Sequence, residues 1–385
     1  MTRLATCLLL APVSVTCMMA QTVFTRTLGE QKGQTGMGVG ATVAGFVVAA
    51  QVFDQPAMHH RPAVLQCDQQ GEPAPGSTLV VEGRVFVHGM TDGDEDVRFI
   101  CGSVFPAGTV HHNGFLMKLT IGSGTIWTAQ PDRAGDQHYL AVAALPDGGA
   151  VACGTTTNAD MVRPLLVRFD ANGNVLWEKE VLGEPGGIAR DVAVDASGIV
   201  ITGRRMNPSG TSDLLLMRFD LEGEPQWTRT VGGSADEEGH GLVRANDGTF
   251  IAAGYTDSHG PLFDGTERRR CVYLVKVQPT TGDTLWTRVS GDTVRHRTAF
   301  SISSAPDNDL LVAGMRRQVP GAANALVQRF TADGTFEWER NYTAGKSDRL
   351  LDILALPDGG FVATGGSFGV DGHQVLLIRR DHLGE

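Results

Sequence analysis

The chain has 385 residues, a net charge of −11 and 42% apolar residues, enough to bury a large core. Phosphate binding draws on clustered Lys and Arg, so this charge balance disfavours nucleic acid as a partner. No long polar or Ser/Pro-rich tract points to disorder. Length alone suggests two domains, but the repeats described below argue for one.

Residues 1–20 read MTRLATCLLLAPVSVTCMMA. Arg3 precedes an apolar run that ends at the small residue Ala20, the pattern of a secretory signal peptide, and Pro12 argues against a buried strand. The expected organisation is a signal peptide over 1–20 and a single domain over 21–385. A second apolar stretch, 36–53, is too short and too rich in Gly for a membrane span, and it aligns with a repeat. No transmembrane anchor is therefore expected once the signal is removed. Four cysteines remain: Cys67, Cys101, Cys153 and Cys271. Export would permit oxidation. However, Cys101 and Cys153 occupy the same repeat column, each just before a Gly, and equivalent columns in neighbouring units lie too far apart for disulfide geometry. All four are expected to be free, buried thiols.

The stretch 214–233, LLLMRFDLEGEPQWTRTVGG, has alternating runs on both sides of an Asp-x-x-Gly turn, a hairpin signal. It recurs at 165–183, 272–291 and 325–345, and more loosely at 114–130. Its tryptophans, Trp127, Trp177, Trp227, Trp286 and Trp338, fall roughly every 50 residues, a period that marks a propeller or solenoid. Each unit reads as four short strands. Strand a is apolar and ends in a tight turn such as PDGG at 146–149 and 357–360 or NDG at 246–248. Asp-Gly and Asn-Gly supply the positive φ that primed turns need. Strand b is small and β-branched and closes on Gly (AVACG, IVITG, FIAAG, LLVAG, FVATG). A variable connection leads to strand c, and the Asp-x-x-Gly turn leads to strand d with its Trp.

Alignment on that Gly gives seven units, with b strands near 46–51, 97–102, 149–154, 198–203, 249–254, 309–314 and 360–365. The first unit lacks a Trp, and the last stops at RRDHLGE without a strand d. Residues 23–29, VFTRTLG, match QWTRTVG at 226–232, with Phe24 in the Trp column. The fold expected is all-β: a single β-propeller of seven four-stranded blades, closed by the N-terminal strand completing the last blade. Closure of this kind removes exposed edges. The aromatic column is expected to pack at blade junctions, where truncating a buried Trp costs about 3–5 kcal/mol.

The pattern Gly-x-Thr…Leu-Leu-x-Arg-Phe-Asp-x-x-Gly-x-x-x-Trp-x-x-x-x-Gly resembles the β-propeller repeats of secreted Gram-negative proteins, common among surface proteins exported by type IX secretion. The resemblance covers nearly the whole mature chain. It implies a propeller of about seven blades and little about activity. The segment TGDTLW at 281–286 is also similar to the tryptophan-docking motif of quinoprotein dehydrogenases, where the Trp packs one blade on the next. That similarity implies a structural role. The adjacent cysteine pair such enzymes need does not occur in this sequence.

In an up-and-down blade the a–b and c–d turns share one face, and the b–c and d–a connections share the other. Here the second set is longer and more varied, so it is the candidate binding face. It is expected to carry His59, His60, His111 and His112, with His138, His240, His259, His296 and His373. The acidic run Asp236, Glu237 and Glu238 is expected there too. So is the longest connection, 255–270, with Asp264 and a solvated basic cluster of Arg268, Arg269 and Arg270. Several His on one face could bind a transition metal, but residues spread over different blades read better as solvated loops. No nucleotide fingerprint, nucleophile elbow or zincin motif is present. The expected function is that of an exported, monomeric, non-enzymatic scaffold whose partner is a surface protein or glycan, without cofactor or metal. The expected location is the cell surface, extracellular space or periplasm of a Gram-negative bacterium. The alternative is a propeller enzyme, either quinoprotein-like or carbohydrate-active.

Overall fold

A computed structural model describes residues 22–28, 33–54, 59–74, 77–78, 84–158, 161–181, 186–263, 265, 267–318, 321–369 and 372–385. The expected signal peptide lies outside these residues, as does Asp264. The described chain forms seven four-stranded antiparallel sheets, the seven blades of a β-propeller. Blade 1 comprises strands a to d at Gln34–Thr42, Gly45–Asp54, His59–Asp68 and Ser77–Thr78. Blades 2 to 6 repeat this order, and in blade 7 strands a to c (Ser347–Ala355, Phe361–Gly369, Gly372–Arg380) are completed by Phe24–Leu28.

The b strands do not end at their glycine, as the repeat pattern suggests, but run on past it, as in Ala150–Asn158 and Gly198–Met206. They read as continuous small apolar runs because both faces are covered. Side chains alternate along each strand, and here the alternation sorts them between two junctions. Val47 and Ala49 pack toward blade 2, whereas Phe46, Val48 and Ala50 pack toward blade 7. The core is accordingly divided into seven apolar clusters, one per junction. Among the described residues Cys67, Cys101, Cys153 and Cys271 are free and buried, and burial pushes the thiols of Cys67 and Cys271 up to about 11.

The N-terminal strand closes the ring. Phe24 to Leu28 pair antiparallel with Arg379 to Val375. Phe24 and Leu28 are 6% and 4% exposed, in one cluster with Phe46 and Val48 of blade 1.

The aromatic column links every blade but the first to the one that follows it. Trp127, Trp177 and Trp227 donate their indole N–H to the carbonyls of Ala171, Leu221 and Pro279, in the c–d turn of the following blade. The rings lie under the turn glycines: a Cβ on Gly173, Gly223 or Gly282 would come within 2.8, 3.2 and 2.6 Å of the indole. Gly334 and Gly384 sit in the same way over Trp286 and Trp338, and Gly71 over Phe24. All five Trp are half-buried rather than fully buried. A half-exposed ring forfeits less on truncation, so Trp227→Ala is expected to cost about 1–3 kcal/mol. Urea denaturation checks this, and a loss below about 0.5 kcal/mol would contradict a docking role.

Candidate functional site: the channel and the upper face

The a–b and c–d turns form a lower face held by repeated ion pairs. The turn carboxylates Asp147, Asp195 and Asp247 bind Arg168, Arg218 and Lys276 of their own strands c at 2.8, 2.8 and 2.7 Å. Arg329 and Arg379 pair with Asp307 and Asp358 in the same manner. These charges are committed to the scaffold.

The seven a strands line the central channel, and each carries a β-bulge at the same level. The extra residues are Met37, His88, Leu140, Arg190, His240, Phe300 and Leu351. All seven line one narrow space of about 130 Å³ at the centre of the ring. The bulge explains the glycine column of strand b. A Cβ on Gly154, Gly203, Gly254 or Gly314 would come within 1.8–1.9 Å of a backbone carbonyl of strand a. Blade 1 has Ala50 in this column, and there the strand a partner is Gly36.

Much of the channel's polar lining comes from blades 2 to 5, with Ser301 of blade 6 and Asp352 of blade 7 besides. Glu238, 3% exposed, accepts from Arg190 Nε at 2.5 Å and lies 3.4 Å from the Tyr255 hydroxyl and 3.7 Å from His240 Nε2. Burial opposes its ionisation, but hydrogen bonding and charge from His240 and Arg190 prevail and hold it at about 2. Burial, reinforced by Glu238, lifts Tyr255 to about 12. His88 is driven down to about 4 by burial and by His138.

Asp191 and Asp352 each follow a bulge and tie their blade to the next one round the ring. Asp191 accepts the backbone N–H of Leu242 in blade 5 at 2.6 Å, and Asp352 that of Val39 in blade 1 at 2.8 Å. Their depth in the ring raises them to about 7 and about 6, against the backbone donors that favour the anion. With its folded pKa above the unfolded value, Asp191 holds a proton between about pH 4 and 7 that the unfolded chain has released. That contribution is fully present below the unfolded pKa and is lost as pH rises through about 7. Compared with an Asp191→Asn variant, the parent is expected to lose about 1–2 kcal/mol of relative stability from about pH 5 to about pH 8, discounted for channel water. Chemical denaturation of both proteins at the two pH values measures it, and a pH-independent difference would contradict the assignment.

Several residues that the sequence places in loops lie in strands. Glu237 and Glu238 belong to strand a of blade 5 (Glu237–Arg244) and are 0% and 3% exposed. Glu237 is satisfied by Thr256 Oγ1 at 2.6 Å and by the amides of Gly233 and Ser258. Asp236 caps Ser212 at 2.8 Å. His240 is in the channel, stacked on Phe300 at 5.4 Å. His88, which carries no loop signal, occupies the equivalent bulge in blade 2. The basic cluster is not uniformly solvated. Arg268 is exposed, but Arg269 is 7% exposed and stacks on Phe263 at 3.9 Å. Arg270 pairs with Asp257 at 2.6 Å and covers the Tyr255 ring at 3.6 Å.

The upper face does gather other histidines. His60, Phe86, His112 and His138 form a chain of ring contacts at 5.0–5.9 Å. His59 stands beside His60 at the start of strand c, and His111 lies 3.8 Å from Asp132. Burial lowers His60 and His138, and neighbouring imidazoles lower them further. His259, in the b–c connection of blade 5, packs on Tyr273 at 5.7 Å. Among the described residues no three His, Cys, Asp or Glu are placed to hold a metal ion.

Two larger cavities open on this face. One, of about 510 Å³, lies between blades 5 and 6 and is lined by Arg268, Arg270, His296 and Thr298 among others. The other, of about 390 Å³, lies between blades 6 and 7 and is lined by Ser347, Asp348, Arg349, Phe368 and His373 among others. Both are also lined by Met315 and Arg317, so they meet there. Arg317 and Arg349 carry no signal in the sequence that marks them as site residues.

Fold and faces together define a seven-bladed β-propeller whose lower turns are braced by ion pairs, with one cavity of about 480 Å³ among them, and whose upper face carries two cavities that meet. No family model matches the sequence, and no curated protein matches it. Among solved structures the chain is similar to a polysaccharide lyase, Uly1, with TM-score 0.53 and 10% identity over 90% of each chain. It is similar to a puromycin hydrolase with TM-score 0.53 and 14% identity, covering 90% of this chain and 52% of the hydrolase, about half its length. The Neurospora crassa Pan2 WD40 domain gives TM-score 0.50 and 8% identity over 92% of this chain and 98% of the domain. At these identities the likeness shows the fold alone.

Proposed function

We propose that this protein is a non-enzymatic binding scaffold that presents its upper face to a surface protein or glycan. The observation that carries the reading is the asymmetry of the ring. A cavity of about 480 Å³ also opens among the lower turns of blades 2 to 4, but the charges of those turns are largely tied up in repeated ion pairs, whereas the upper face carries two cavities of about 390 and 510 Å³ that meet at Met315 and Arg317. Of the acid–base groups near the channel, Asp191 and Asp352 are raised by burial to about 7 and about 6 but are tied to the backbone amides of Leu242 and Val39. Glu238, held at about 2 by its partners despite burial, and Tyr255, raised by burial to about 12, are both far from the range suited to proton transfer at neutral pH. The signal-like residues 1–20 and the resemblance to secreted repeat proteins support export to the cell surface, extracellular space or periplasm of a Gram-negative bacterium. A glycan and surface-protein binding screen on the protein tests this. Saturable binding without turnover of any panel member is expected. Turnover, abolished by replacing upper-face acids, would replace the scaffold by the enzyme alternative.

A further inference from the structure

We propose that the groove crossing blades 5, 6 and 7 on the upper face binds an acidic, carboxylate-bearing polysaccharide; this rests on the reading of that face as the ligand face. The groove consists of the two cavities that meet at Met315 and Arg317. Its arginines are unequally committed. Arg270 is neutralised by Asp257 at 2.6 Å, and Arg268 donates to the Gly260 carbonyl at 2.6 Å. Arg317 and Arg349, by contrast, are exposed, and their side chains have no ion pair or hydrogen bond among the described residues. Elsewhere arginines near carboxylates are held, as Arg297 and Arg316 are by Glu339 at 2.8 and 2.9 Å.

In the cavity between blades 5 and 6 the lining carboxylates Asp257 and Glu267 pair with Arg270 at 2.6 Å and Arg269 at 3.4 Å. The one carboxylate among the described residues lining the cavity between blades 6 and 7, Asp348, is 1% exposed and turned to the backbone amides of Ala344 and Gly345 at 3.0 and 3.1 Å. It cannot swing out to neutralise Arg317 or Arg349 without leaving those amides unpaired. A pair of free guanidinium groups lining one cavity is thus built into a chain whose net charge is −11. The surrounding field repels polyanions, so only a local cationic groove can admit them. Guanidinium forks match carboxylates in two-point hydrogen bonds. Two cavities in series suit a linear polymer with repeated acidic groups better than a single small anion.

A peptide is the less suited polyanion. The groove is walled by strand ends and b–c connections, not by an unpaired strand edge to which a peptide could add. Its only large apolar side chains among the described lining residues are Met315 and Phe368, whose ring meets His373 at 3.7 Å, and a peptide would find no strand edge there to pair with.

The test compares polygalacturonate, neutral dextran and poly-glutamate as probes for the full chain, by calorimetry. Polygalacturonate is expected to bind, with affinity falling as salt rises. The Arg317→Gln/Arg349→Gln double variant is expected to bind it at least about tenfold more weakly. Its melting temperature should match the parent's, because neither arginine side chain has a partner among the described residues. Undiminished binding by the double variant, equal binding of dextran, tighter binding of poly-glutamate, or no binding of polygalacturonate would each overturn the inference. In the last three cases a partner found in the broader screen would leave the scaffold reading standing, whereas turnover would remove that reading itself.

Discussion

Deletion of residues 22–28 is expected to lower the melting temperature by at least roughly 10 °C and to make the protein aggregate. Two buried side chains go with the segment, Phe24 and Leu28, each worth about 2–5 kcal/mol. The five-residue pairing with Val375–Arg379 is lost as well. Arg380 Nη1 loses the Phe24 carbonyl at 2.5 Å, and Gly71 loses the ring beneath it. The larger consequence is topological. A closed ring lets every blade support its neighbours, and the deletion leaves strand c of blade 7 as an unpaired edge. Light scattering and thermal unfolding of the deletion variant would show this, and parental stability and solubility would contradict closure by this strand.

Gly365→Ala is expected to cost about 3 kcal/mol or more, while Gly366→Ala, one residue on, is expected to cost less than about 1 kcal/mol. A Cβ at Gly365 would fall 2.1 Å from the Arg349 carbonyl and 2.8 Å from Leu350 Cα. Both are backbone atoms of strand a at its bulge, so the clash is relieved only by undoing the bulge. At Gly366 the nearest atom is Thr35 Cγ2 at 3.4 Å, ordinary contact with a side chain. Denaturant midpoints of the two variants make the comparison directly. Equal losses would mean that the glycine column recurs from blade to blade for some reason other than the bulge's close approach.

The ring and its closure are legible because they are written in repeated letters. Trp127 to Trp338 mark strand d, and VFTRTLG carries the same alternation as QWTRTVG, so the motif alone places Phe24 in the aromatic column. The bulges are not legible. Their residues are Met37, His88, Leu140, Arg190, His240, Phe300 and Leu351, seven positions without a common chemistry, because a bulge is fixed by the partner glycine and not by its own side chain. Glu237 and Glu238 read as loop because adjacent carboxylates normally seek water. Their burial is made tolerable by Thr256, Ser258 and Arg190, which are distant in sequence. Arg269 is buried through its stacking on Phe263, a contact no periodicity announces. Arg317 and Arg349 belong to neighbouring blades, and only the packing of blade 7 on blade 6 brings them to one cavity.

The claim that the upper face is the ligand face is tested most directly by hydrogen–deuterium exchange with and without saturating polygalacturonate. Slower exchange is predicted in 257–263, 296–298, 315–318, 347–349 and 366–369, with the lower turns at 146–149, 246–248 and 357–360 unchanged. Protection confined to those lower turns, or to the outer d strands, would contradict the account.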